Sequence, residues 1–166
     1  DHGTASLAYA MEEESLPGKI NRRKAESLGL EPKDLALIKD GITVKGVTPE
    51  TVTGPVRRGA KVVISGDTRP CESVREAASG ADMLIHEATF MAESAELAEA
   101  HMHSTALQAA GIAKASEVGM LVLVHISNRY EDLSLPEEEA RSVFPNTVAA
   151  RDMDMYQVSA TGIRSV

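Results

Sequence analysis

Residues 61–90 read KVVISGDTRPCESVREAASGADMLIHEATF, and this stretch decides the architecture. KVVIS (61–65) and DMLIH (82–86) are unbroken apolar runs of strand length, and a helix is expected between them at about 71–79. Continuous runs of this kind suit strands buried on both faces, as in a parallel sheet covered by helices. The hydrophobics stop where a chemically active residue begins: Asp67 just after the first run, His86 and Glu87 at the end of the second. The alternation continues downstream. Helices are expected at about 91–99, 104–117 and 136–143, with strands at MLVLVHI (120–126) and MDMYQVS (153–159). An α/β sheet built this way lines up Asp67, His86 and His125 along one edge and brings His103 beside them at a helix start. Proteins of this class place catalytic and metal-binding residues at such an edge.

The segment before residue 61 is different. ASLAYAMEE (5–13) fits a strand or a short helix equally. Residues 17–60 are rich in Gly, Pro and charge, and LALI (35–38) and ITVKGV (42–47) resemble small strands or turns. Lys39-Asp40-Gly41 and Thr53-Gly54-Pro55 read as turns. The expectation is an extended excursion with little core of its own.

Composition narrows the function classes. The 166 residues are 43% hydrophobic and only 3% aromatic, without Trp, so a core of Val, Ile, Leu, Ala and Met is expected in one domain or a large part of one. No apolar run approaches the roughly 18 residues a membrane span needs. A single cysteine, Cys71, excludes an internal disulfide and fits a reducing, cytoplasmic setting. The net charge of −8 opposes general affinity for nucleic acid, yet it conceals an asymmetry. Between Lys19 and Lys61 ten Lys/Arg face five acids, a net +5, whereas the remaining residues carry −13. A basic segment on an acidic body suits local contact with a polyanion; it also suits a solvated surface.

Each active residue has a chemical and a plain structural reading. Asp67, in the turn Gly66-Asp67-Thr68, could bridge two cations or simply cap the turn, with Thr68 and Arg69 holding it. His125 could be a metal ligand or a hydrogen-bonded core residue. Ser104 or Thr105 is the expected N-cap of the helix that follows His103, with Leu107, Ala110 and Ile112 turned inward. His103 then lies where a phosphate is favoured and a leaving oxygen could be protonated. Glu87 could orient His103. His86 could support the site or fill the strand edge. His101 reads as a surface residue.

Taken together, GDTRP (66–70), HEATF (86–90), HST (103–105) before an Ala-rich helix, and LVLVHISNRY (121–130) resemble the ribonuclease Z family of the metallo-β-lactamase superfamily. The spacings, 36 residues from Asp67 to His103 and 22 from His103 to His125, are similar too, as is the tail PNTVAARDMDMYQV (145–158). The resemblance covers roughly residues 2–158. It implies the C-terminal half of an αββα sandwich carrying a protruding arm, here the basic segment at about 17–60 with Lys19, Arg22, Arg23, Lys24 and Lys33. It implies a hydrolase that removes the 3′ trailer of precursor tRNA with two zinc ions, working as a homodimer. His2, Asp67 and His125 would be metal ligands. His103 and Glu87 would act on the scissile phosphate, supported by His86, Thr68, Ser104 and Thr105. The family's HxHxDH motif does not occur in these 166 residues, so the chain by itself is expected to lack two-zinc activity. Two other functions fit the same segments: hydrolysis of small phosphodiesters or cyclic nucleotides, and a non-catalytic RNA-binding half-domain.

Overall fold

The computed structural model describes residues 1–166 and divides into two compact units: residues 1–12 with 60–166, and residues 13–59. The chain opens with strand β1 (Tyr9–Glu12), which settles the ambiguity of residues 5–13.

Residues 13–59 hold three short helices, α1 (Arg22–Ser27), α2 (Asp34–Lys39) and α3 (Pro49–Val52). LALI, expected as a strand or turn, lies within α2. The expectation of little core also fails, because Ala25, Leu30, Ile38, Val47 and Val52 bury one another. The unit closes on itself through an antiparallel bridge between Leu16 and Arg57 and another between Ile20 and Thr53. Gly18 is required there: a Cβ would stand 1.9 Å from the Gly54 carbonyl oxygen.

The larger unit follows the predicted alternation. Strands β2 (Lys61–Ile64), β3 (Met83–Glu87), β4 (Met120–Val124) and β5 (Thr147–Ala149) run parallel in that order, and β1 pairs antiparallel with the β2 edge. The connections carry α4 (Glu72–Ala78), a 3-10 turn (Ala92–Ser94) leading into α5 (Ala95–His101), α6 (Ala106–Ala115) and α7 (Ser134–Arg141). Val63, Leu84, Leu121 and Leu123 on one sheet face pack with Ala78, Ala106, Ala109, Ala110, Ala113 and Ala140 of the helices. Alanines at these positions let backbone approach backbone, which is how a core poor in aromatics reaches close packing. In α6 it is these alanines that face inward, whereas Leu107, expected inside, is 37% exposed. The opposite sheet face carries the register rows Tyr9–Ile64–Ile85–Val122 and Met11–Val62–Met83–Met120. At its β1 end Tyr9 and Met11 are exposed.

Two carboxylates of α7 tie the layers. Glu139 accepts from the backbone N–H of Ala92 and of Leu107, and Glu137 from that of Ala149. The single strand expected at 153–159 is instead a hairpin, β6 (Tyr156–Ser159) and β7 (Gly162–Ser165), forming its own two-stranded sheet.

Candidate metal and catalytic site

The carboxyl ends of β2, β3 and β4 converge on one edge of the sheet, and each presents its residue through a local backbone device. After β2, Gly66 adopts φ +62°, and a Cβ there would lie 2.5 Å from the Leu7 carbonyl oxygen, so only glycine permits the turn that offers Asp67. The Ser6 hydroxyl donates to the Asp67 carbonyl at 2.7 Å and fixes it. After β4, His125 takes the left-handed conformation, φ +53°, which turns its ring out of the strand line. A non-glycine residue there stores strain, a recurrent feature of functional sites. After α5, Met102 is left-handed (φ +57°), and the N–H groups of Met102 and His103 bond back to Glu99 and Ala98. This helix-ending motif delivers His103. Thr105 then caps α6 in a reciprocal capping box with Gln108.

Glu87 is the centre of the arrangement. It is 1% exposed, and its Oε1 accepts from the Thr68 N–H (3.0 Å) and His103 Nδ1–H (2.8 Å). Its Oε2 accepts from the N–H and the hydroxyl of Thr89, both at 3.0 Å. Four donors satisfy a buried carboxylate completely. The Ser104 hydroxyl locks the Thr68 loop by donating to the Thr68 carbonyl at 2.6 Å.

Around this pair stand the expected metal ligands. His2 donates from Nδ1 to the Met102 carbonyl (2.9 Å), leaving Nε2 free, and its ring lies 4.8 Å from that of His103. The His125 ring stacks on His103 at 5.3 Å; its Nδ1 lies 2.8 Å from the Thr89 hydroxyl and its Nε2 3.8 Å from Asp67 Oδ2. Asp67 and His125 therefore face each other directly, whereas His2 reaches this edge beside His103; imidazole nitrogens and a carboxylate are donor types zinc takes. Glu87, His103 and His125 also offer atoms within 4.8 Å of one another. That trio does not suit a cation, because all the acceptor positions of Glu87 are already filled by hydrogens.

The structure thus brings together His2, Asp67, Thr68, Glu87, His103, Ser104, Thr105 and His125. It leaves His86 out. By strand alternation His86 shares the face of Leu84 and Ala88, away from Glu87. It is fully buried, its Nδ1–H donates to the Glu87 carbonyl at 2.7 Å, and its Nε2 has no hydrogen-bond partner. Burial pushes its pKa below the usual histidine value. His101 is exposed at the end of α5, as expected. Residue-by-residue reading of the sequence missed Thr89, whose only signal is its place two residues after Glu87. In residues 13–59, Lys19, Arg22, Arg23 and Lys24 are exposed. Lys33 is paired with Glu31 at 2.9 Å and Lys45 with Asp34 at the same distance. Lys19, Arg22, Lys39 and Arg57 line a cavity of about 430 Å³ that has no acidic residue in its wall.

No family model matches the chain. Among curated proteins, ribonuclease Z of Methanosarcina acetivorans is 46% identical over 159 residues, 92% of this chain and 52% of its own length. Ribonuclease Z of Gemmatimonas aurantiaca is 44% identical over 172 residues, 97% of this chain and 54% of its own. Among solved structures, the metallo-β-lactamase fold protein YhfI of Bacillus subtilis matches with a TM-score of 0.50 at 25% identity, covering 57% of this chain and 41% of its own. The chain spans about half the length of the curated relatives it matches. Over nearly its whole length it is a sequence relative of ribonuclease Z, and its aligned part shares the metallo-β-lactamase fold.

Proposed function

We propose that these residues are the part of a zinc-dependent endoribonuclease that carries out proton transfer and substrate gripping as the 3′ trailer is removed from precursor tRNA. The observation that carries this is the buried Glu87–His103 pair, standing beside His2, Asp67 and His125 in a chain 46% identical to a ribonuclease Z. Two zinc ions are the group such a site would take; bound, they supply Lewis acidity toward a phosphodiester and activate the attacking water. His2, Asp67 and His125 would hold them, with further ligands from an HxHxDH motif outside these residues.

The chain's own chemistry centres on His103. Its Nδ1–H is held by Glu87, which fixes the ring plane and leaves Nε2 for the substrate. A protonated His103 contacts the scissile phosphate and gives its proton to the departing ribose oxygen, so that the tRNA ends in a 3′-hydroxyl. Glu87 balances the ring's positive charge and keeps its orientation. Phe90 flanks His103 edge-on at 6.2 Å and, at 6% exposure, keeps water from that side. The basic residues of segment 13–59 would grip tRNA phosphates away from the chemistry, with Lys19, Arg22, Lys39 and Arg57 the strongest group because no acid shares their cavity. Lys33 contributes less, being neutralised by Glu31. Pairing of two copies and a cytoplasmic setting belong to the same proposal and rest on the family resemblance and the lone Cys71.

The test is cleavage of a 3′-extended precursor tRNA by the full-length protein that carries this segment, with zinc content measured in parallel. Asp67→Ala is expected to lose both metal and cleavage. His103→Ala is expected to keep its zinc and lose at least about 100-fold in turnover. Zinc loss in the His103 variant, or cleavage that survives it, would refute the assigned role.

A further inference from the structure

The hydroxyl of Thr89 is the point where the metal-side histidine and the proton-transfer pair meet. Its Oγ1 lies 3.0 Å from Glu87 Oε2, 2.8 Å from His125 Nδ1 and 3.2 Å from His103 Nδ1. Thr89 is 9% exposed, so water has little access to these bonds. A hydroxyl has one proton and two lone pairs, and an ionised carboxylate can only accept. The hydrogen bond to the charged acceptor is the stronger use of that single proton. Once the proton points at Glu87, the hydroxyl can only accept from the two rings. His125 must then carry its proton on Nδ1. His103 must do the same, a state its 2.8 Å bond to Glu87 Oε1 already favours.

The backbone makes this geometry durable. The Ala88 N–H bonds to the Val124 carbonyl at 2.9 Å, and the Ser127 N–H to the Thr89 carbonyl at 3.1 Å. Residues 88–89 are therefore bonded on both sides of the left-handed His125.

We propose that Thr89 is a positioning residue: its hydroxyl, oriented by Glu87, holds His125 in the Nδ1–H tautomer and so leaves the Nε2 lone pair, 3.8 Å from Asp67 Oδ2, unprotonated for a metal that the two would share. The metal half of the site and the Glu87–His103 half then share one hydroxyl. The proposal rests on the function argued above only for its purpose; the tautomer itself is a property of the chain alone.

The experiment is nitrogen-15 NMR of the histidine rings in the zinc-free full-length protein that carries this segment, at a pH where they are neutral, combined with a zinc competition titration. Wild type is expected to show Nδ1–H on His125 and on His103. In Thr89→Val, His125 loses its acceptor and moves toward the Nε2–H form that free imidazole side chains favour, while His103 stays Nδ1–H on Glu87. Zinc affinity falls about tenfold or more. Thr89→Ser restores both. A wild-type His125 protonated on Nε2, or a His125 tautomer unchanged in Thr89→Val, would overturn the proposal. If Thr89→Val fails to fold, the wild-type and Thr89→Ser spectra decide by the same criterion. The expected tautomers in a full-length protein that cleaves no precursor tRNA would remove the functional proposal and leave the role of Thr89 standing.

Discussion

The Glu87 carboxylate accepts four hydrogen bonds while 1% exposed, and every one of its donors comes from a different or constrained source: two backbone amides, one hydroxyl and one imidazole. A glutamine cannot replace it, since whichever way the amide turns, its NH₂ meets an N–H. Glu87→Gln should cost about 1–3 kcal/mol of stability, read by denaturant unfolding. Its loss of cleavage should be comparable with that of His103→Ala. His86 makes a different prediction. Burial depresses its pKa in the folded chain, so the unfolded chain binds its proton first as pH falls. Its contribution is fully present above the unfolded value of about 6.5 and is lost below it. Between pH 7.5 and 5.5 wild type should therefore lose more stability than His86→Leu, and an equal loss in the two would show that His86 is accessible to protons. The motifs GDT, HEATF and HST made most of this site legible, because strand ends and helix starts occur at fixed distances from them. Thr89 was not legible: its partners lie 14 and 36 residues away, and only the folded edge brings them to one oxygen.

At the scale of elements, helix ends decide where the active groups point. The N-terminus of α6 is narrowed by the sequence to Ser104 or Thr105, and the structure selects Thr105, in a capping box with Gln108. Thr105→Ala should lower stability by about 1 kcal/mol. The C-termini of α5 and α6 were hidden, because their left-handed positions carry residues other than glycine. Met102 ends α5, and Glu117 (φ +53°) ends α6, with the N–H groups of Glu117 and Val118 bonded to Lys114 and Ala113. Glu117→Gly should therefore raise stability by about 1 kcal/mol, seen as a higher denaturation midpoint with the slope unchanged. A lower midpoint would mean that the Glu117 side chain makes compensating interactions. Short apolar runs are equally ambiguous. LALI looks like a strand in isolation, but Asp34 accepts from the Glu31 N–H at its start and Ile38 buries against Ala25 and Leu30, so the run coils into α2. Four residues are too few for periodicity to separate the two outcomes. Nothing in MDMYQVS announces a partner strand; the turn at Ala160–Thr161 supplies one.

Across the whole molecule, charge is divided as chemistry is. Residues 1–12 and 60–166 together carry −10 and residues 13–59 carry +2, so the net charge of the larger unit disfavours a polyanion more than that of the smaller. Replacing Lys19, Arg22 and Arg57 by Glu should weaken precursor tRNA binding and flatten its dependence on salt, by about 0.7–0.9 in log–log slope for each phosphate no longer neutralised. Zinc content should not change. An unaltered slope would place the tRNA grip elsewhere. The fold explains why the two proposed tasks can be separated. Glu12 at the end of β1 is the register partner of Lys61 at the start of β2, so residues 13–60 occupy the position of a hairpin loop. A two-residue turn could close the same pair of strands. The insertion has its own core and returns the chain to where it left, so it can be lengthened, trimmed or exchanged for another without re-threading the sheet. On the proposed function, substrate choice in this scaffold is a graft on a hairpin, and an evolving lineage can change what is held without disturbing how it is cut.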